Sequence, residues 1–202
     1  MREIILYSNK GKTSSDFKLK DLPGSGGRMD LNARCVISAL WLSNSLRKNS
    51  KIIISLNGDP DPPTSIAFHG DKIEKISPDE RNIAVWIKKA LEKKGMLLDE
   101  NEWYETHKGI YISRKSFQSL LEEKIKQKIP IYLLHKGGKD IKNIQFSEKA
   151  IFIVGDNHGV PEEEIRSLNN QIKNKVSIGP KEYFASQSIS ILHNELDRKE
   201  IH

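Results

Sequence analysis

The sequence predicts an α/β domain built on a largely parallel sheet. Short β-branched runs recur along the chain, and stretches of helical periodicity lie between them. In addition, four of the runs are near-continuously apolar, as expected of strands covered on both faces. The predicted strands are Ile4–Tyr7, Ile52–Leu56, Ser65–His69, Ile110–Ser113, Ile131–Leu134, Ile151–Val154 and Val176–Ile178.

The first helix follows the first strand, with Ala33, Val36, Ile37 and Leu40 at i, i+3, i+4 and i+7. The second carries Ile83, Trp86, Ile87, Ala90 and Leu91 on one stripe. Its expected start is an N-cap at Ser77, proline in the first turn at Pro78 and a capping-box Glu80. Gly95 is its expected stop. The polar stretch Asp99 to His107 reads as a surface connection. Phe117, Leu120 and Leu121 mark a third helix. Pro161-Glu162-Glu163-Glu164 opens a fourth, with acids suited to the positive end of the helix dipole. Ala185, Ile189, Leu192 and Leu196 stripe the last. No composition break interrupts the 202 residues, so one domain over 1–202 is expected.

Composition narrows the function classes. Lys plus Arg number 33 against 27 Asp plus Glu, a formal net charge of +6. That modest excess permits a polyanionic partner, but the acids are too numerous for a basic disordered arm. No apolar run reaches membrane-spanning length, so no membrane partner is expected, and the N-terminus turns polar too early for a signal peptide. A single cysteine, Cys35, allows neither an internal disulfide nor a cysteine-based zinc site, and suits a reduced cytoplasmic setting.

The chemistry concentrates in the last third. Ile151-Phe152-Ile153-Val154 runs into Gly155-Asp156-Asn157-His158-Gly159, a glycine-bracketed turn before a proline-started helix. Val176-Ser177-Ile178 enters Gly179-Pro180-Lys181-Glu182-Tyr183, and Leu133-Leu134-His135-Lys136 enters Gly137-Gly138. Each alone is a tight turn. Three such loops after three successive strands are together expected to line one cleft, at the strand ends where α/β sheets bind ligands. Their backbone N–H and C=O groups can read an adenine edge without charged side chains. A phosphate-binding P-loop is excluded, because no Lys-Ser/Thr follows the last glycine. No Gly-x-Ser-x-Gly elbow is present. Asp156 and His158 lack a third ligand at credible spacing, so no metal is expected.

GDNHGVPEEE (Gly155 to Glu164), SIGP (Ser177 to Pro180) and LHNELDR (Leu192 to Arg198) resemble the SPOUT class of RNA methyltransferases. With DLPGSGGRMD (Asp21 to Asp30), the Gly58–Pro63 turn and SPDERNIA (Ser77 to Ala84), the chain resembles more closely the archaeal TrmY family, almost end to end. The resemblance implies a SPOUT fold whose C-terminal segment, about 130–200, forms a deep trefoil knot, an exception to unknotted connections. It implies S-adenosylmethionine as cofactor, held by Leu134, Gly155, the segment Ile178, Gly179, Pro180, Lys181, Glu182 and Tyr183, and Ser188. It implies methyl transfer to N1 of pseudouridine 54 in the TΨC loop of tRNA, by a homodimer. The family often carries cysteine where Ser188 stands and His or Asp where Gln187 stands, so contacts there are expected through backbone.

Methyl transfer to a ring nitrogen needs alignment, loss of the N1 proton and stabilisation of the developing anion. Gly26-Gly27-Arg28-Met29-Asp30 resembles the Arg-x-Asp element of the related rRNA enzymes. Asp30 is the candidate for orienting or deprotonating N1–H, and Arg28 for the base carbonyl or a phosphate. The alternative roles are a helix N-cap for Asp30 and an ion pair for Arg28. Asp79 and Arg81 are a second pair, with capping as their plainer role. Arg34, Arg81, Lys88, Lys89, Lys10 and Lys12 are the candidate RNA contacts. Trp41, Trp86 and Trp103 are possible stacking residues, with packing favoured for Trp41 and Trp86. For His193, Asn194 and Glu195 a docking role is expected, and for Cys35 packing. The competing functions are an rRNA pseudouridine methyltransferase and a non-catalytic RNA-binding module of the same fold. The compact chain favours tRNA over rRNA, and the glycine-rich loops favour an enzyme over a binding module.

Overall fold

The computed structural model describes residues 1–96, 99, 101–166 and 174–199. Its sheet centres on β1 (Arg2–Ser8). On one side lie β7 (Ala150–Gly155), β6 (Ile131–Asp140) and β8 (Asn174–Ser177), each parallel to its neighbour. On the other side β2 (Ser50–Leu56) is also parallel to β1. Beyond it β3 (Thr64–His69), β5 (Ile110–Ser113) and β4 (Tyr104–His107) pair antiparallel. The order is β4-β5-β3-β2-β1-β7-β6-β8.

The expectation of a largely parallel sheet therefore holds for five strands and fails for three. The reason is connection length: the turn from Asn57 to Pro63 is too short for a crossover, so β3 must return beside β2 in the opposite sense. Strand β4 falls in the stretch read as a surface connection. It is an edge strand with Tyr104 and Glu105 exposed, so it shows no apolar alternation to recognise.

Alternate residues of the central strands point to opposite faces. Ile4, Leu6, Ile52, Ile54, Ile66 and Phe68 meet α1 (Met29–Leu40), α2 (Glu80–Glu92) and α5 (Ala185–Arg198). Ile5, Ile53, Ala67, Leu133 and Ile153 pack against α3 (Phe117–Lys126), and Ile165 of α4 (Glu162–Arg166) lies against the same layer. A third cluster joins Phe152 and Val176 to Leu192 and Leu196 of α5.

Local chemistry sets the helix ends. The cap of α2 is Asp79, whose carboxylate accepts from Asn82 N at 2.8 Å; Ser77 instead donates its backbone N–H to Asn82 Oδ1. The sequence placed the cap two residues early because Ser-Pro also satisfies the pattern. Gly95 lies inside a 3₁₀ turn, Lys94–Met96, after α2 has ended at Glu92. In β6 the His135–Gly138 segment is a register shift within a strand that resumes at Lys139, rather than its end. Gly138 is needed there: a Cβ would lie 2.4 Å from Val176 N of β8.

At the opposite end of the sheet, Arg2 fixes α5. It is 2% exposed, donates to Asp197 Oδ1 and faces His193 Nδ1 at 3.3 Å. Arg47 holds the same Asp197. His193 is buried and Asn194 exposed, accepting from Arg198 Nε. The docking role expected of this motif thus rests on His193 and Asp197.

Candidate active site

The middle of β6 at Leu133–Lys136 and the loops that follow β7 and β8 enclose a cleft of about 720 Å³. Eight of the nine predicted cofactor residues line it: Leu134, Gly155, Ile178, Gly179, Lys181, Glu182, Tyr183 and Ser188. Pro180 is exposed and stands outside the lining.

The walls are shaped by small residues and backbone. A Cβ on Gly155 would lie 2.4–2.7 Å from the backbone of Gly159 and Val160, so the turn folds directly over bare main chain. The Tyr183 ring covers Gly179, its hydroxyl 3.3 Å from where a Cβ would be. Ser177 Oγ donates to Gly179 O. Across the mouth, exposed Lys136 and Glu182 pair at 2.7 Å. Val154, Leu133 and Ala185 supply apolar surface, and Ser188, 9% exposed, brings the α5 backbone to the floor. Such a cleft suits a flat, largely uncharged heterocycle read by main-chain groups.

The turn after β7 is itself tightly held. Asp156 accepts from Asn9 N at 2.7 Å, Asn9 Nδ2 at 2.8 Å and His158 N at 2.9 Å. Its own backbone N–H donates to Tyr7 O. Tyr7 Oη donates to Glu164 of α4, and burial together with the nearby Glu164 carboxylate pushes the phenol up to about 12. Sequence reasoning passed over Asn9 and Tyr7. The trace they leave is a turn-forming Asn after a strand and a polar-tipped aromatic in it. His158 is exposed.

The Gly26–Asp30 element lies on the next loop over. Gly27 (φ 60) and Arg28 (φ 67) are both left-handed, so α1 starts from a strained turn with Arg28 at its N-cap position and no side-chain cap. Asp30 is thus not the cap. It sits in the first turn, buried, with both oxygens engaged: Arg28 Nε and Nη2 at 3.1 and 3.2 Å, and Arg34 Nη2 at 2.8 Å. Burial pushes this carboxyl up, but the hydrogen bonds from Arg28 and Arg34 outweigh it and hold Asp30 below the usual range. The same contact raises Arg28. Neither residue lines this cleft, yet Arg28 feels the charge of Asp156. A second hollow, about 350 Å³, lies beside them between Arg34, Ser38, Asp79, Glu80 and Ser186.

The structure sorts the basic candidates. Arg34 is tied to Asp30 and Glu80, Lys12 to Asp16, and Lys88 to Phe17 O. Lys89 lies 4.2 Å over Trp86, whose ring stacks on His107. Lys10 and Arg81 are exposed. Trp41 packs against the first core cluster and Trp103 against the second. Cys35 is fully buried and its thiol pushed far up by burial, which fits packing. Among the described residues, no three His, Cys, Asp or Glu side chains gather as metal ligands, and no helix is long and apolar enough to cross a membrane.

Together these features define an α/β protein with a glycine-bearing, partly charged cleft at the carboxyl edge of its parallel strands, where such sheets bind ligands. Residues 1–201 match the family described as "Putative SAM-dependent RNA methyltransferase", and the chain belongs to that family. It is 45% identical over 203 residues to the tRNA (pseudouridine(54)-N(1))-methyltransferase of Methanocaldococcus jannaschii, covering all of this chain and 98% of that one. It is 40% identical over 202 residues to the enzyme of the same name from Pyrococcus abyssi, covering 98% of each. Among solved structures it is similar to Archaeoglobus fulgidus Nep1 bound to S-adenosylhomocysteine, with TM-score 0.61 and 12% identity, over the whole of this chain and 99% of that one. At that identity the likeness concerns the fold.

Proposed function

We propose that this chain transfers a methyl group from S-adenosylmethionine to N1 of pseudouridine 54 in the TΨC loop of tRNA. The observation that carries the reading is the convergence of the glycine-bearing loops after β7 and β8 with the His135–Lys136 stretch of β6 on one cleft, in a chain 45% identical to an enzyme named for that reaction. The cofactor supplies an electrophilic sulfonium methyl when bound. Its adenine suits the main-chain edges at Leu134, Ile178 and Gly179, and the bare backbone at Gly155 leaves room for close approach. The exposed Lys181, Glu182 and Tyr183 form the solvent-facing side of the cleft, and Ser188 its floor.

Arg28 and Asp30 serve the base. With both carboxylate oxygens taken by guanidinium groups, Asp30 is an orienting anion rather than a proton acceptor. It holds Arg28 in the left-handed turn, where the guanidinium can stabilise negative charge on the pseudouridine ring as N1–H is lost. The N1 proton then leaves to solvent.

The finer architecture belongs to the same reading. The chain is one SPOUT domain over 1–202, and its end from about 130 to 200 closes as a trefoil knot. The tight passage of Lys175–Val176 past Gly138 and the return of α5 onto α1 support that. A homodimer acting in the cytoplasm is the expected form, its tRNA drawn by the +6 charge of each subunit.

Labelled S-adenosylmethionine with a TΨC-loop RNA carrying either pseudouridine or uridine tests the reading. Methylation of the pseudouridine RNA alone is expected. Absence of cofactor binding by calorimetry would overturn it, and methylation of an rRNA pseudouridine hairpin in preference would redirect it.

A further inference from the structure

Asn9 occupies an unusual place. It directly follows β1, lines neither hollow, and donates three hydrogen bonds to two residues of one turn. Its backbone N–H and one amide N–H bond go to the two oxygens of Asp156, and its amide nitrogen also donates to Gly159 O at 2.8 Å. Asp156 and Gly159 are walls of the cofactor cleft. One residue thus closes the turn from outside.

The next residue is fastened equally firmly to the other half of the site. A Cβ on Gly27 would lie 1.7 Å from Lys10 O, and one on Gly58 would lie 2.4 Å from it. Both glycines are therefore in contact with the Lys10 peptide, with no room for any side chain. Lys12 N donates to Gly26 O and Gly58 N to Gly11 O. Asn57 N and Asn57 Nδ2 both reach Ser8 O. The segment Ser8–Lys12 is thus wedged between the loop after β2 and the turn that carries Arg28. Main-chain groups hydrogen-bonded on both sides leave such a segment little freedom to shift.

We propose that Asn9 is the positioning residue that sets the cofactor turn, Asp156–Gly159, in register with the Gly26–Asp30 element. The inference rests on the methyltransferase reading above. Its physical content is a chain of rigid contacts: Gly159 and Asp156 to Asn9, the following Lys10–Gly11 peptide to Gly27, and Gly27 to Arg28. Cofactor pocket and base-contacting arginine are then two ends of one clamp. Transfer needs the two reactants aligned within a fraction of an ångström, so a turn that rocks about Gly155 loses rate even where ligand still binds.

The test combines binding, kinetics and exchange. Asn9→Ala keeps the backbone N–H and deletes both amide contacts. It is expected to raise the Kd for S-adenosylhomocysteine about tenfold, as loss of bonds to a buried carboxylate does. It is expected to lower kcat at saturating cofactor by on the order of 10²-fold, with KM for RNA little changed. Asn9→Asp sets a second carboxylate against Asp156. Its activity relative to the parent chain is expected to rise as pH falls and the pair shares a proton, and Asp156→Asn in the same chain is expected to restore part of it. Unchanged kcat and Kd in a folded Asn9→Ala protein, with only a lower Tm, would overturn the proposal.

Amide hydrogen exchange on the unaltered chain provides an arm free of folding defects. S-adenosylhomocysteine is expected to protect Asn9–Lys12 and Gly26–Arg28 together with 156–159; protection confined to the cleft walls would overturn the clamp. If the parent chain binds no S-adenosylhomocysteine, the methyltransferase reading fails first, and the two failures are told apart.

Discussion

Gly155→Ala tests the proposed cofactor cleft most directly. The added methyl would stand 2.4 Å from Gly159 C, 2.6 Å from Gly159 Cα and 2.7 Å from Val160 N. Ordinary contact begins near 3.4 Å, so the opposing backbone must retreat by about 1 Å. All three atoms are main chain, and their turn is pinned by Asn9 and Tyr7, so no rotamer change relieves the clash. Overpacking of this kind costs about 1–3 kcal/mol of stability. The displacement falls on a wall of the cleft, and a 1 Å misplacement near reacting groups lowers rate on the order of 10²-fold. Calorimetric titration with S-adenosylhomocysteine and single-turnover methylation are the assays. Gly159→Ala is the control: φ there is +76 but no atom lies within 4 Å of the new Cβ. It should lose about 1–2 kcal/mol to backbone strain and retain a wider range of activity. Wild-type affinity and rate in Gly155→Ala would refute the close-approach argument.

Asp30→Asn should lower kcat by about 10²-fold through release of Arg28, while the parent rate shows no Asp30 titration between about pH 6 and 8. A limb in the parent pH profile that the substitution abolishes would instead make Asp30 the proton acceptor. Arg28→Lys should fall nearly as far, since an ammonium cannot reproduce the paired contact with both Asp30 oxygens. His193 is held at about 3 against an ordinary 6.5, chiefly by burial and then by Arg47 and Arg2. The native protein thus refuses a proton that the unfolded chain accepts. Its contribution is complete above pH 6.5 and is lost as pH falls toward 3, at up to about 1.4 kcal/mol per pH unit. Denaturation of His193→Gln at about pH 6 and 4.5 should show a shallower pH dependence than the parent; equal slopes would refute this. Lys10→Ala with Arg81→Ala should weaken tRNA binding uniformly and flatten the salt slope by roughly 1 per lost phosphate contact. An unchanged slope in a filter-binding series would remove both residues from the RNA surface.

The sequence alone determined the parallel half of the sheet. Ile4–Tyr7, Ile52–Leu56, Ile131–Leu134 and Ile151–Val154 are dense apolar runs because both faces are covered, and density is a local property. The helices were legible for a similar reason, since Ile83, Ile87 and Leu91 repeat at the helical period wherever one face is buried. The cleft walls were legible because glycine after a strand is itself a local signal. Tertiary structure alone decided the rest. β4 is an edge strand that needs no apolar pattern, so only its pairing with β5 on the sheet edge reveals it. The fate of Asp30 was also undecided locally. Arg34 lies one helical turn on, but the left-handed Arg28 that brings the second guanidinium round depends on Lys10 packing against Gly27. Asn9 and Asp156 are 147 residues apart, and no periodicity links them. Hydrogen bonds of that span exist only once parallel β1 and β7 lie side by side, which is why the contacts of Asn9 with the Asp156–Gly159 turn appear in the fold and nowhere in the sequence.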